Sequence, residues 1–284
     1  MRLGYNTWSM PTLSIDTAAA HLAKLGYDSL ELTICPGWPT EATGLDRAER
    51  RRIRSLIADL GLHLTGCTGN TPVLVDGEAW PTARARLETY LDFIAEIQGH
   101  GERMYLATTS GLPAGSDPAN AWDSSRNLLV ERFGHLAAYA SERGVTMHLE
   151  PHVMTAVRRA EDALWLLDQV AQPSLRLSLD ISHFEVQGVD FREVVPQLIE
   201  RTGAVEVKDE RGVYPDFEFL IPGEGEMDYT GFLETLAQHR YEGSVSVEVS
   251  VFRQAIPGYD PLAAAATSYR VLAAAFAQAG VARG

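Results

Sequence analysis

The stretch Leu175–Gly188, LRLSLDISHFEVQG, decides how this chain is read. Leu175, Leu177 and Leu179 form an apolar run with Arg176 and Ser178 between them, and the run then delivers Asp180 and His183 into a glycine-bearing loop. A buried strand that ends in a carboxylate and an imidazole aims ligands at a divalent ion. Two other strand-like runs end in a similar way: VTMHLEPH delivers Glu150 and SVSVEVS delivers Glu248. Between them in sequence lies AVEVKDE, with Glu206. Carboxylates on separate apolar runs suggest one shared site at the mouth of a barrel.

Outward from that stretch, short apolar strands alternate with amphipathic helices. Strands are expected at Arg2 to Trp8, Tyr27 to Thr33, LHLTGCT, RMYLATT, VTMHLE, LRLSLD, AVEVKD and SVSVEVS. The first helix opens at Ser14 as N-cap, carries Ala18, Leu22 and Leu25 on one face and closes at Gly26. Further helices are expected at Arg47 to Leu60, Trp80 to Gln98, Ser124 to Arg143, Glu161 to Val170, Phe191 to Arg201, Tyr229 to His239 and Pro261 to Gln278. Pro196 should kink or delay the sixth of these, and Asp260 caps the last. Ser110 to Asp123 reads as a loop. Eight strand–helix units argue for a parallel sheet with crossover helices, closed into a (β/α)8 TIM barrel as a single domain over residues 1–284. An open doubly wound sheet is the alternative, but GYNTWSMP after the first strand lacks the G-x-G-x-x-G turn usual there.

The 284 residues are 45% hydrophobic and 22% charged, with a formal net charge of −14. That acidity repels phosphate backbones, so nucleic acid is a poor general partner. Arg50, Arg51, Arg52 and Arg54 read as a solvated helix face rather than a nucleic-acid patch. Cys35 and Cys67 form no disulfide framework, MRLGYNTWSM has no apolar run after Arg2, and no segment has the length of a membrane span. The expectation is a cytoplasmic protein with no membrane partner.

At the C-terminal ends of barrel strands, Glu150, Asp180, Glu206 and Glu248 would converge. Any one of them is as readily a helix cap or half of an ion pair. Four at equivalent places suit a divalent ion, Mn²⁺ or Mg²⁺ first, with Co²⁺ or Zn²⁺ tolerated. His183 either ligates the ion or holds a substrate hydroxyl, the alternative being a loop histidine satisfied by backbone. His152 faces substrate or supports the ligands, and His148 shares the face of Glu150, where a core role is at least as reasonable. Lys208 shares the face of Glu206, to bind an anionic group or to pair with a carboxylate. Glu31 is either a sugar-hydroxyl ligand or an ordinary barrel-mouth residue, and Trp8 and Trp38 are either a stacking wall for sugars or core.

These residues resemble the xylose isomerase-like barrel superfamily, in particular the group called sugar phosphate isomerases/epimerases. The resemblance runs along nearly the whole chain: LGYNTWS, LGYDSLEL, HLEPH, LSLDISHFEVQG, VEVKDERG and PGEGEMDYTGFL through YEGSVSVEVS. It implies Glu150, Asp180 and Glu248 as metal ligands and His183 as a neighbour that contacts substrate oxygens. Many relatives have a histidine as fourth ligand, in a run like V-H-V-K-D, where this chain has Glu206. The departure either makes a more anionic site or weakens it.

The activity implied is a divalent-metal-dependent isomerase or epimerase of a ketose or keto-sugar, with Glu150 and Glu248 exchanging a proton through an enediolate. The alternative is a lyase or dehydratase that expels a β-leaving group from a keto-sugar, keto-inositol or oxidised glycoside, with His183, His152 or His148 as acid. A DNA repair endonuclease is opposed by the charge and the modest histidine count, and an idle sugar-binding barrel is suggested only by Glu206. The partner expected is a small carbohydrate, with a homo-oligomer possible. The loop after the seventh strand, ERGVYPDFEFLIPGEGEMDY, is acidic and long, fitting a neutral sugar and a lid or oligomer contact, with its clustered Tyr214, Phe217 and Phe219 either covering the substrate or packing on a neighbouring subunit.

Overall fold

A computed structural model describes residues 1–284. Eight parallel strands close into a ring: β1 (Arg2–Asn6), β2 (Ser29–Thr33), β3 (His63–Thr68), β4 (Tyr105–Thr109), β5 (Thr146–Glu150), β6 (Leu175–Asp180), β7 (Thr202–Val207) and β10 (Ser244–Val247). Each neighbour in the ring is also the neighbour in chain order among these eight, and β10 closes on β1 through Arg2–Ser244 and Leu3–Val245. Outside the ring, β8 (Asp209–Val213) and β9 (Asp216–Leu220) form an antiparallel hairpin. The helices are α1 (Ile15–Leu25), α2 (Arg47–Asp59), α3 (Trp80–Ile97), α4 (Ala121–Glu142), α5 (Ala160–Val170), α6 (Ser182–Glu185), α7 (Phe191–Leu198), α8 (Tyr229–Gln238), α9 (Val251–Gln254) and α10 (Pro261–Gln278).

The helix boundaries follow local chemistry. Ser14 accepts the Thr17 N–H at 3.2 Å, satisfying one of the free donors at the start of α1. Gly26 ends α1 with φ +98°, a conformation costly for any residue with a Cβ. Asp260 accepts from the N–H groups of Leu262 and Ala263, and Pro261 opens α10. The arginines of α2 are tied to acids: Arg52 to Asp16 and Glu49, Arg50 and Arg47 to Glu96, and Arg54 to Glu102.

Four local expectations shift. The first strand stops at Asn6, because its side chain caps a 3-10 turn at Thr7–Ser9. The fourth helix begins at Ala121 rather than Ser124. Pro196 lies within α7 without ending it, and the chain tightens into a 3-10 turn at Ile199–Arg201. The stretch after β7 is mostly a hairpin, and the loops after β6 and β10 carry the short helices α6 and α9.

The period-2 alternation sorts each strand into two faces. Leu177, Leu179, Val205, Val207, Val245 and Val247 join the apolar layer between ring and helices. Full burial of each such side chain stabilises by about 1.5–3 kcal/mol. The alternate residues point into the ring, and they are mainly polar: Asn6, Glu31, Thr68, His148, Ser178, Asp180 and Glu206 are all buried. The interior is therefore a hydrogen-bonded network with a small apolar plug of Tyr105, Ala107 and Ala204. The Tyr105 ring stacks on His148 at 4.3 Å between centroids. Two glycines make room for that stack: a Cβ on Gly66 would stand 2.6 Å from Tyr105, and one on Gly203 would stand 2.4 Å from His148.

Candidate active site

The chemistry-bearing side chains collect at the C-terminal end of the ring, where β5 ends in Glu150, β6 ends in Asp180, β7 runs into Lys208 and β10 runs into Glu248. Glu150, Glu206, Lys208, Glu248, His152 and His183 line one polar cavity of about 90 Å³, with Trp8, Phe219 and Phe252 among its other walls. At the centre stands the Lys208 ammonium. Its side chain is 2% exposed, it donates to Asp180 Oδ2, and it lies 3.4 Å from Glu248 Oε1. His183 Nε2 is 3.5 Å from the same ammonium and 3.1 Å from Glu150 Oε1.

Asp180 is held from both sides. Its Oδ1 accepts the Ser182 N–H at 3.0 Å and the Ser182 hydroxyl at 2.6 Å, at the start of α6. Burial opposes its charge, but Lys208, His183 and Ser182 outweigh burial and hold its carboxyl below the usual carboxylate range. Glu150 and Glu248 have fewer partners. Burial pushes Glu150 up to about 7, with Lys208 pulling it down and Asp180 adding to the rise. Burial likewise pushes Glu248 up to about 8, against Lys208 and together with the charge of Glu150. Burial works against the charge on Lys208 too, yet Asp180, Glu248 and Glu150 keep it protonated. Burial and the nearby ammonium push His183 down to about 3, so its imidazole is neutral.

His152 lies over His183 with ring centroids 3.8 Å apart. Its Nδ1 accepts the Met154 N–H at 3.0 Å, so the neutral ring carries its proton on Nε2. His183 Nδ1 is buried and without a partner. One donor atom from each of Glu150, His152 and His183 lies within 4.8 Å of the others, a grouping that suits a single metal ion where His152 gives up its bond from Met154. The donors are oxygen and imidazole nitrogen, a set that fits hard and borderline divalent ions.

The remaining candidates from the sequence take separate places. Glu206 lines the cavity, but its oxygens accept from Asn6 Nδ2 at 2.8 Å and from the Ser178 hydroxyl at 3.2 Å. Burial and then the charges of Glu31 and Glu248 raise its pKa well above the usual value. Glu31 sits deeper, within the ring, accepting from Thr68 Oγ1 and Tyr105 Oη at 2.7 Å each. His148 lies on the floor with Tyr105, within 3.2 Å of the Thr146 hydroxyl. Trp8 lines the cavity and stacks on Trp38 at 4.4 Å.

Sequence reading missed two contributors, Asn6 and Ser182. Asn6 bonds both Glu206 and Thr68, and nothing in its strand marks it. Ser182 orients Asp180, a role that D-x-S after a strand is able to signal. Phe219, on β9, meets His183 edge to face with ring centroids 5.0 Å apart, and its ring centroid lies 5.2 Å from the Lys208 ammonium. Its place in the aromatic cluster with Tyr214 and Phe217 after the seventh strand is what marks it in the sequence.

A closed parallel barrel with a carboxylate-rich cavity at its C-terminal mouth defines the class. A family profile described as xylose isomerase-like TIM barrel matches residues 19–275, and the chain belongs to that enzyme family. A Streptomyces coelicolor protein assigned as a hydroxypyruvate isomerase is 26% identical over 274 residues, 89% of this chain and 88% of that protein. An inosose dehydratase of Clostridium perfringens is 28% identical over 136 residues, 42% of this chain and 46% of that protein, so this match spans about half of that relative. Among solved structures, a D-psicose 3-epimerase crystallised in the presence of D-fructose superposes with a TM-score of 0.78 at 17% identity, covering 99% of this chain and 100% of that one, a likeness of fold. No helix is long and apolar enough to cross a membrane.

Proposed function

We propose that this protein is a carbohydrate isomerase or epimerase that moves a proton beside the carbonyl of a ketose or keto-sugar, through an enediolate. The observation that carries this reading is the pair Glu150 and Glu248, each 13% exposed, facing one cavity with the Lys208 ammonium within it. Their strands are separated in the ring by β6 and β7, so they address a substrate from different sides. Glu150 removes the proton and Glu248 returns it, or the reverse. The ammonium faces the negative charge that develops on the carbonyl oxygen. His183, 3.1 Å from Glu150, and His152 beside it hold hydroxyls and keep the base in position.

Glu150 and His183, which lie within reach of one ion, would hold a divalent ion (Mn²⁺ or Mg²⁺ first, Co²⁺ or Zn²⁺ next), with Asp180 and Glu248 joining where they give up Lys208. Such an ion supplies a Lewis acid for the carbonyl and the adjacent hydroxyl. Lys208 already engages Asp180 and Glu248, so ammonium and ion compete for the same oxygens. Glu206 stays with Asn6 and Ser178 in this reading.

Elimination is the second reading, favoured by the inosose dehydratase relative. It keeps the proton abstraction and expels a β-hydroxyl as water, the proton coming from the carboxyl of Glu150 or Glu248, since His183 and His152 are neutral. One experiment tests both readings: incubation in D₂O with a panel of ketoses and 3-keto sugars, with and without Mn²⁺, followed by NMR. Deuterium at the carbon beside the carbonyl, lost by about 10²–10⁴-fold in both Glu150→Gln and Glu248→Gln, is expected. An epimer or isomer as product supports the first reading and an unsaturated product the second. No exchange into any of the panel refutes both.

A further inference from the structure

A larger cavity lies beside the first and differs from it in size and in its mainly apolar lining. It measures about 470 Å³ and is walled by Met154, Tyr214, Phe217, Phe219, Phe252 and Ile256. The hairpin β8–β9 supplies the three central aromatics, the segment after β5 supplies Met154, and α9 with the residues after it supplies the rest. All three segments follow barrel strands on the face that carries Glu150 and Glu248. We propose that this cavity is a subsite for a neutral aromatic or similarly flat apolar group carried by the sugar, the aglycone of a glycoside. The proposal rests on the sugar reading of the neighbouring cavity.

Continuity is the first argument. Phe219 and Phe252 belong to the walls of both cavities. Aromatic contacts run without a break from the reaction site outward: His183 to Phe219 at 5.0 Å, Phe219 to Phe217 at 5.1 Å, and Phe217 to Tyr214 at 6.3 Å. A group attached to a sugar at Lys208 and His183 therefore leaves the polar cavity along an aromatic wall.

Size is the second argument. Pockets that bury a small ligand measure roughly 300–1,000 Å³. The polar cavity, at about 90 Å³, falls below that range, while its neighbour lies within it. The polar cavity alone therefore encloses only part of a ligand.

Chemistry is the third argument. Met154 is 42% exposed, Tyr214 40%, Phe252 57% and Ile256 50%, so the wall shows water a cluster of large apolar side chains, the mark of a surface with an occupant. Aromatic faces and edges favour a flat, uncharged partner. The basic residue in the wall, Arg253, is already neutralised: Glu224 accepts from its Nε and Nη2, both at 3.0 Å. The acidic one, Glu218, lies 3.6 Å from Arg211. Neither residue offers an anionic extension such as a phosphate a free cation, and Arg158, whose guanidinium lies 5.2 Å from the Tyr214 ring centroid, lines a different cavity.

The test uses the full chain and two probes, phenyl β-D-glucopyranoside and methyl β-D-glucopyranoside, with their 3-keto forms for turnover. Saturation-transfer NMR is expected to mark the phenyl protons most strongly, and titration to show the phenyl glucoside at least about tenfold tighter than the methyl one. Ile256→Asp and Met154→Ala, both at exposed positions outside the polar cavity, are expected to abolish that preference while leaving methyl glucoside binding and thermal unfolding unchanged. Phenyl saturation without turnover of either 3-keto sugar keeps the subsite and counts against the sugar reaction instead. Equal affinity for the two probes, or no binding of either, overturns the subsite. Sedimentation showing a dimer that Ile256→Asp dissociates, with no phenyl saturation, also overturns it and assigns the face to a second copy of this chain.

Discussion

Replacing Lys208 with methionine tests the central contact of the site. The lysine side chain is 2% exposed and pairs with Asp180, whose side chain is fully buried. Methionine keeps the length and removes the charge. Asp180 then keeps only its two bonds from Ser182 and sits near Glu150 and Glu248 with no cation between them. Removing one partner of a buried ion pair costs about 3–5 kcal/mol, because the surviving charge stays desolvated. At roughly 2–4 °C per kcal/mol for a large domain, the melting temperature should fall by about 6–20 °C. Asp180→Asn in the same chain removes the stranded charge and should recover much of the loss, giving a coupling of about 1–3 kcal/mol in the double-mutant cycle. Mn²⁺ should raise the melting temperature of Lys208→Met more than that of the parent, since an ion no longer competes with the ammonium. Thermal unfolding followed by circular dichroism, with chelator and with Mn²⁺, measures all three. A Lys208→Met protein that melts within about 2 °C of the parent in chelator, with no coupling to Asp180→Asn, would refute the buried ammonium as the keystone of the site.

Three further outcomes follow from the interior of the ring. Gly66→Ala drives a Cβ to 2.6 Å from the Tyr105 ring, and overpacking of this kind costs about 1–3 kcal/mol, to be read as a lowered urea midpoint. Glu206→Gln retains an acceptor for Asn6 and a polar group for Ser178 in place of a carboxyl that burial keeps largely protonated, so it should change stability by less than about 1 kcal/mol, whereas Glu206→Ala strands buried donors at about 1–3 kcal/mol. His148 is pushed from 6.5 down to about 3, by burial first and by the charge of Arg176 second. The unfolded chain takes up that proton near 6.5 and the folded chain does not, so stability present above 6.5 is lost as pH falls from 6.5 toward 3. His148→Phe should flatten this acid limb in a pH series of melting temperatures, and an unchanged limb would assign it to other groups.

Much of this protein is legible along the chain, because strand alternation, caps and turn residues act over a few neighbours. LRLSLD and AVEVKD each show an apolar face for the helices and a polar face for the interior, and Asp180 and Glu248 come out at the ring's C-terminal end as their strands predict. Ser14, Gly26 and Asp260 mark helix ends by local hydrogen bonding and backbone freedom. Depth and partnership are of another kind. Whether Glu31 or Glu206 faces the cavity or the network beneath it depends on the stagger of strands around a closed ring. Asn6 meets Glu206 across 200 residues of chain, and Lys208 meets Asp180 across 28. The hairpin that carries Phe219 against His183 acquires its role only when packed over the mouth. The sequence by itself determined which side chains each strand turns inward, since that depends on a two-residue period. Only the tertiary structure decided which of them touch, since closing the ring brings together residues whose separation in sequence carries no signal.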